Sequence, residues 1–217
     1  MTWQLFSFVL LAYYVYRAAS AFWESSKGVH SDIPSGFDFG RFPAIHAAIE
    51  AVLALIGLWV LAAGSPGIII VSAGIGIAYL PITVGLTSPS LAYVLGFRYK
   101  FAEWIFAVVK DRASYLPVLL QTLKEELVWR SAFVYLSRFN NIPDPLLLVV
   151  GSILFYLIHW NPKGRIVILT ELELLCFSFL LYVVYLELQT LIGVWVIHFI
   201  RNSYLRYYRS MPRGSEV

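Results

Sequence analysis

The chain has 217 residues, of which 59% are hydrophobic and 13% charged, with a net charge of +3 and a mean hydropathy of +0.74. A soluble domain carries about 25% charged residues, so these are too few to coat a water-facing surface. No basic patch interleaved with stacking aromatics occurs in a polar segment, which argues against nucleic-acid binding.

In chain order, seven apolar runs read as membrane spans, roughly 3–23, 45–63, 67–89, 116–137, 144–160, 166–187 and 190–206. Spans need about 20 apolar residues each. Lipid offers no partner to bare backbone, so they must be helices or a closed barrel. The runs neither alternate nor stop near the roughly 10 residues of a barrel strand, which leaves helices. The first span starts at Trp3 with no basic region before it and is expected to be retained rather than cleaved as a signal. In the second, His46 and Glu50 stand four apart and are expected to pair structurally. Gly74 and Gly76 in the third offer close helix packing. Segment 91–110 carries Arg98, Lys100, Glu103 and Lys110 among aromatics; an interfacial helix is expected there, with an eighth span as the alternative. Pro117 suits the first turn of the fourth span. Gly64-Ser65-Pro66-Gly67, Asn140-Asn141-Ile142-Pro143 and Asn161-Pro162-Lys163-Gly164 are the turns. Cys176, the single cysteine, excludes an intramolecular disulfide.

The expected fold is all-α: one multi-pass membrane bundle over 1–217, with N-terminal helices and the interfacial segment in 1–115 and a catalytic helical core in 116–206. The positive-inside rule puts the C-terminus, with Arg206, Arg209 and Arg213, in the cytoplasm. Lys163 and Arg165, then Arg98, Lys100, Lys110 and Arg112, then Lys27 and Arg41, fall on the same side. The short loops suggest a prokaryotic plasma membrane.

Ionisable groups inside spans are costly and mark function. Three clusters occur. In Glu125-Glu126-Leu-Val-Trp-Arg130, Glu126 and Arg130 share a helix face and can pair. Glu125 points about 100° away and is free to act as a general base. Phe155-Tyr-Leu-Ile-His159 places an imidazole at the cytoplasmic end of its span. His198-Phe-Ile-Arg-Asn202 sets two hydrogen-bonding side chains on one face, able to hold a developing oxyanion. Taken alone, Glu126–Arg130 reads as well as a structural polar contact between helices, His159 reads better as an interface residue, and His198–Asn202 reads better as helix–helix hydrogen bonding. Depth joins them: Glu125 lies about 12 Å past Pro117 and His198 about 12 Å before Arg206, both on the cytoplasmic side. Glu171 and Glu173 lie near the cytoplasmic end of the sixth span and point to opposite sides, at least one towards the headgroups. His30, in the polar loop 24–44, needs no role.

Glu-Glu-x-x-x-Arg, Phe-x-x-x-His and His-x-x-x-Asn, in that order on successive apolar segments, resemble the CPBP (ABI) family of CAAX proteases and bacteriocin-processing enzymes, including the Rce1-type prenyl endopeptidases. The three motifs span residues 125–202. The resemblance implies an intramembrane glutamate-type endopeptidase acting on a membrane-associated protein or peptide such as a CAAX-type tail, a leader or a sorting signal. By position, Glu125 and His159 would activate water, His198 and Asn202 would form the oxyanion site, Glu126 and Arg130 would support Glu125, and Phe155 is a further supporting residue. No cofactor is expected. The alternative is zinc held by Glu125, His159 and His198, a three-ligand set suited to a catalytic site, although the His-Glu-x-x-His signature is missing. The competing readings are a non-catalytic bacteriocin-immunity or scaffold protein, and a proton-coupled transporter, for which the inverted repeats are lacking.

Overall fold

The computed structural model describes residues 2–26, 43–87, 97–160 and 168–210. These form eight helices, with no strand among the described residues. They are α1 (Thr2–Ser26), α2 (Pro43–Ala63), α3 (Pro66–Thr87), α4 (Phe97–Lys110), α5, α6 (Asp144–His159), α7 (Ile168–Leu188) and α8 (Leu191–Ser210). α5 runs Arg112–Glu126, widens into a π-helical turn over Leu127–Ala132, and ends as Phe133–Phe139. The predicted all-α class is correct, and each predicted span coincides with a helix. Length and apolarity alone qualify only α3 and α7 as membrane spans among the described residues. α6 is apolar but shorter, and α5 and α8 are interrupted by the charges that make up the site described below.

The breaks follow turn chemistry. Asp111 accepts a bond from the Ser114 N–H and caps α5. α5 thus starts at Arg112, earlier than expected, and Pro117 lies inside the helix, where it removes one ladder hydrogen bond. Between α5 and α6, Asn141 takes the left-handed conformation at φ 57°, which Asn tolerates well. Arg138 clamps Asp144 across that turn at 3.1 and 2.9 Å. Asn140 donates to Ser7 Oγ at 2.9 Å and pins α1 to it.

The π-helical turn has two external partners. Tyr14 of α1 donates to the Val128 carbonyl at 2.9 Å, and Tyr182 of α7 donates to the Trp129 carbonyl. Such a turn shifts the phase of all that follows it, so these bonds help fix how the two halves of α5 face the bundle. Aromatic edges of Tyr14, Trp129, Phe133 and Phe155 close the space around it.

α8 is the hub, packing on α3, α5 and α7 and touching α2 and α4. It approaches α3 closely at Gly76, where a Cβ would stand 3.1 Å from Ile200 Cδ1 and 3.3 Å from Ile197 Cα. The close packing expected of Gly74 and Gly76 therefore holds at Gly76; Gly74 faces open space. α4, the expected interfacial segment, docks on α8 through Phe97, Phe101 and Trp104 around the buried Tyr204. Polarity is inverted relative to a water-soluble bundle. Glu125, Glu126, Arg130, Glu173, His198 and Arg201 are buried, while Leu5, Leu55, Trp59, Ile70, Phe106, Leu146 and Ile168 are exposed.

Candidate active site

The first cluster divides between two tasks. Helical phase points the two adjacent carboxylates in different directions. Glu126, fully buried, accepts from Arg130 Nη1 one turn on at 3.1 Å. The Arg130 guanidinium carbon lies 3.8 Å from the centre of the Phe155 ring and 4.9 Å from that of the Tyr182 ring. Its charge is thus held by one carboxylate and two π faces, which makes burial tolerable. Glu125 is 4% exposed. Its Oε1 accepts from Gln121 Nε2, one turn earlier on α5, at 2.7 Å.

The other oxygen, Glu125 Oε2, stands 3.5 Å from both His159 Nε2 and His198 Nε2. α5, α6 and α8 meet at that atom, and it has no hydrogen bond within the protein. The tautomers follow from the partners. His159 Nδ1 is 2.9 Å from the Phe155 carbonyl, which can only accept, so Nδ1 carries the hydrogen and Nε2 presents a lone pair when the ring is neutral. Two acceptors facing each other at 3.5 Å call for a proton between them or a water donating to both. Phe155 therefore has two roles: its carbonyl sets the His159 tautomer, and its ring carries Arg130.

His198 is held at both nitrogens. Nδ1 lies 2.5 Å from Glu126 Oε1. Nε2 lies 3.0 Å from Asn202 Nδ2. Asn202 Oδ1 accepts from Arg201 Nη1 at 3.0 Å, so the amide nitrogen must be the atom facing His198. An amide N–H only donates; Nε2 therefore accepts, and Nδ1–H is given to Glu126. Sequence reasoning assigned Glu126 to support Glu125; in the structure it holds His198.

Arg201 is anchored in turn by Glu173 of α7, through Nε to Oε1 at 2.9 Å and Nη2 to Oε2 at 2.5 Å. Thr83 of α3 donates to the same carboxylate at 2.8 Å. Of the two carboxylates in the sixth predicted span, Glu173 is thus fully buried and Glu171 partly so. Gln121 and the Glu173–Arg201 pair were not identified from the sequence. Gln121 had a visible signal, its i−4 spacing from Glu125. The pair had none, because its members meet across two helices.

Beside these groups lies a cavity of 920 Å³, lined by Pro117 and Gln121 of α5, Phe155 and His159 of α6, Thr170 and Glu171 of α7, and His198, Asn202 and Arg206 of α8. Glu125 is not part of its wall, but its neighbours Gln121, His159 and His198 are. The cavity sits where α5 and α7 begin and α6 and α8 end, which is why residues of four helices share one depth.

Residues 112–204 match the family model described as type II CAAX prenyl endopeptidase Rce1-like. This segment is similar to an Rce1-like CAAX protease domain. It comprises α5, α6, α7 and most of α8, and holds every site residue named above except Thr83 and Arg206. Proteins of this family are membrane-embedded proteases acting on membrane-associated peptides. Comparison with curated proteins and with solved structures gives no match. Among the described residues, no group of three or more His, Cys, Asp or Glu is arranged to hold a metal ion. The zinc set considered above meets a specific obstacle, since the His198 Nε2 lone pair accepts from Asn202. His30 lies outside the described residues, as do the side chains of His46 and Glu50. Cys176 is exposed.

Proposed function

We propose that the protein is a multi-pass intramembrane endopeptidase of the glutamate type, hydrolysing a peptide bond in a membrane-associated protein or peptide, such as a CAAX-type tail, a leader or a sorting signal. The observation that carries this reading is the convergence of Glu125 Oε2, His159 Nε2 and His198 Nε2 at 3.5 Å beside an open cavity. Buried charges and exposed apolar faces support immersion in lipid, where such charges are kept for function. The basic residues expected at the cavity end of the bundle support a cytoplasmic site and C-terminus, in keeping with a prokaryotic plasma membrane.

In the proposed reaction, a water held by Glu125 and His159 attacks the scissile carbonyl and gives its proton to Glu125, acting as general base. The carbonyl oxygen becomes an oxyanion. It is met by an Nδ2–H of Asn202, and by His198 once a proton at Nε2 replaces the hydrogen bond that this nitrogen accepts from Asn202 in the resting protein. Glu126 on Nδ1 favours the imidazolium. Glu125, Glu126 and Arg130 together carry one net negative charge, so one proton shared by the imidazoles would bring the cluster to neutrality. Collapse of the tetrahedral intermediate breaks the C–N bond, and the proton taken from water passes to the departing amine. The products are a carboxylic acid and an amine. No covalent acyl-enzyme and no metal take part in these steps.

The test compares protein termini in native-host membranes carrying wild type or Glu125→Ala at matched abundance. A membrane-protein terminus found only with the wild type is expected, and it names the substrate. Identical termini with both proteins folded would refute catalysis and favour an immunity or scaffold role.

A further inference from the structure

Arg201 differs from the other buried charges in having all three guanidinium nitrogens engaged: Nε and Nη2 with Glu173, Nη1 with Asn202 Oδ1. The planar fork cannot turn, because its other edge is locked to the carboxylate and its face lies over Phe177 at 4.4 Å. Glu173 is immobilised by Thr83, and Tyr79 donates to the Glu173 carbonyl at 3.1 Å. Three helices therefore fix where Nη1 points. An asparagine amide is nearly symmetric in shape, and packing alone does not choose between its two flips. Here the choice is electrostatic: Oδ1 must face a guanidinium N–H, which leaves Nδ2 facing His198. The opposite flip would set Nδ2–H against Arg201 and turn a carbonyl oxygen towards the site, where it would repel an oxyanion.

We propose that Arg201, braced by Glu173 and Thr83, is a positioning residue that sets the amide orientation of Asn202 and so makes it a hydrogen-bond donor to the reaction. This rests on the reading of Asn202 as an oxyanion donor. A buried ion pair by itself contributes little net stability over an apolar pair, whereas a fixed donor is worth orders of magnitude in rate. Arg201→Lys keeps the positive charge beside Glu173 but loses the fork, because an ammonium is a point charge without fixed donor geometry.

The test has two readouts on the full-length protein in nanodiscs. The first needs no substrate: the side-chain nitrogen resonances of His198 in histidine-labelled protein. Asn202→Ala removes the donor to Nε2 and sets the reference shift; Arg201→Lys is expected to move Nε2 in the same direction. An unmoved Nε2 overturns the proposal. The second is a cycle of kcat values on a peptide spanning the Glu125-dependent terminus. Arg201→Lys is expected to lower kcat at least about 10-fold, a fraction of what a lost oxyanion donor costs, and to cost less than about 3-fold more in the Asn202→Ala background. Equal losses in both backgrounds overturn the proposal. Wild-type kcat in Asn202→Ala itself would instead refute the oxyanion role, leaving the resonance result to judge the orientation.

Discussion

Glu126→Gln separates charge from shape at the centre of the site. The glutamine oxygen can take the place of Oε1 and still accept from Arg130 at 3.1 Å and from His198 Nδ1. The tautomer of His198 is then preserved and the negative charge is lost. With about 4 Å between carboxylate and imidazolium and an effective dielectric near 20, that charge is worth roughly 4 kcal/mol. Part of this is already felt before the transition state, so kcat is expected to fall by about 10²–10³ rather than by the whole amount. The fold also suffers, because a buried guanidinium loses its counter-charge, at a cost of about 3–5 kcal/mol. Its contact with the Phe155 ring offsets part of that loss. The double variant Glu126→Gln/Arg130→Met removes both charges. It is expected to recover most of the melting temperature while kcat stays low. Peptide cleavage and thermal unfolding on the same nanodisc samples supply both numbers. Retention of kcat within 3-fold in the single variant, or its recovery in the double, would refute the assignment of Glu126 to His198.

Gln121→Met removes the donor to Glu125 Oε1; a hydrogen bond to a charged group is worth about 1.5–3 kcal/mol, so peptide cleavage is expected to slow by roughly 10- to 100-fold with the fold intact by circular dichroism. Gly151→Ala would put a Cβ 2.5 Å from Tyr182 Cζ and 2.7 Å from its hydroxyl, displacing a buried ring that braces the π-helical turn. Overpacking and the lost bond to Trp129 together predict a destabilisation of about 2–5 kcal/mol in denaturant unfolding, relieved by Tyr182→Leu. Outside the spans, the hydrogen bond from Tyr207, with help from Lys100, holds the Glu103 carboxyl below the usual carboxylate range. A depressed folded-state pKa stabilises above the unfolded value of about 4.3 and ceases to do so as pH falls through the folded one. The melting temperature of wild type should therefore exceed that of Glu103→Gln by a small margin at neutral pH, and the margin should shrink as pH falls below the unfolded value and vanish below the folded-state one.

The helices were legible because apolar runs bounded by Gly-Ser-Pro and Asn-Asn turns leave the backbone no other way to satisfy itself in lipid. Glu126–Arg130 and His198–Asn202 were legible because four residues along a helix bring side chains to one face. Only tertiary structure could assign partners between helices: Glu126 to His198, Glu173 to Arg201, Thr83 to Glu173, and the tyrosines of α1 and α7 to the carbonyls of the π-helical turn. Those contacts depend on helix rotation, which the turn at 127–132 alters and which no local spacing encodes. Local sequence alone specifies the helices and sets their charged clusters at a common depth, since helical rise and turn positions are local properties. The packing of α8 against α3, α5 and α7 decided which oxygen faces which nitrogen, because hydrogen bonds are settled within a few tenths of an ångström and only neighbouring helices hold side chains that closely.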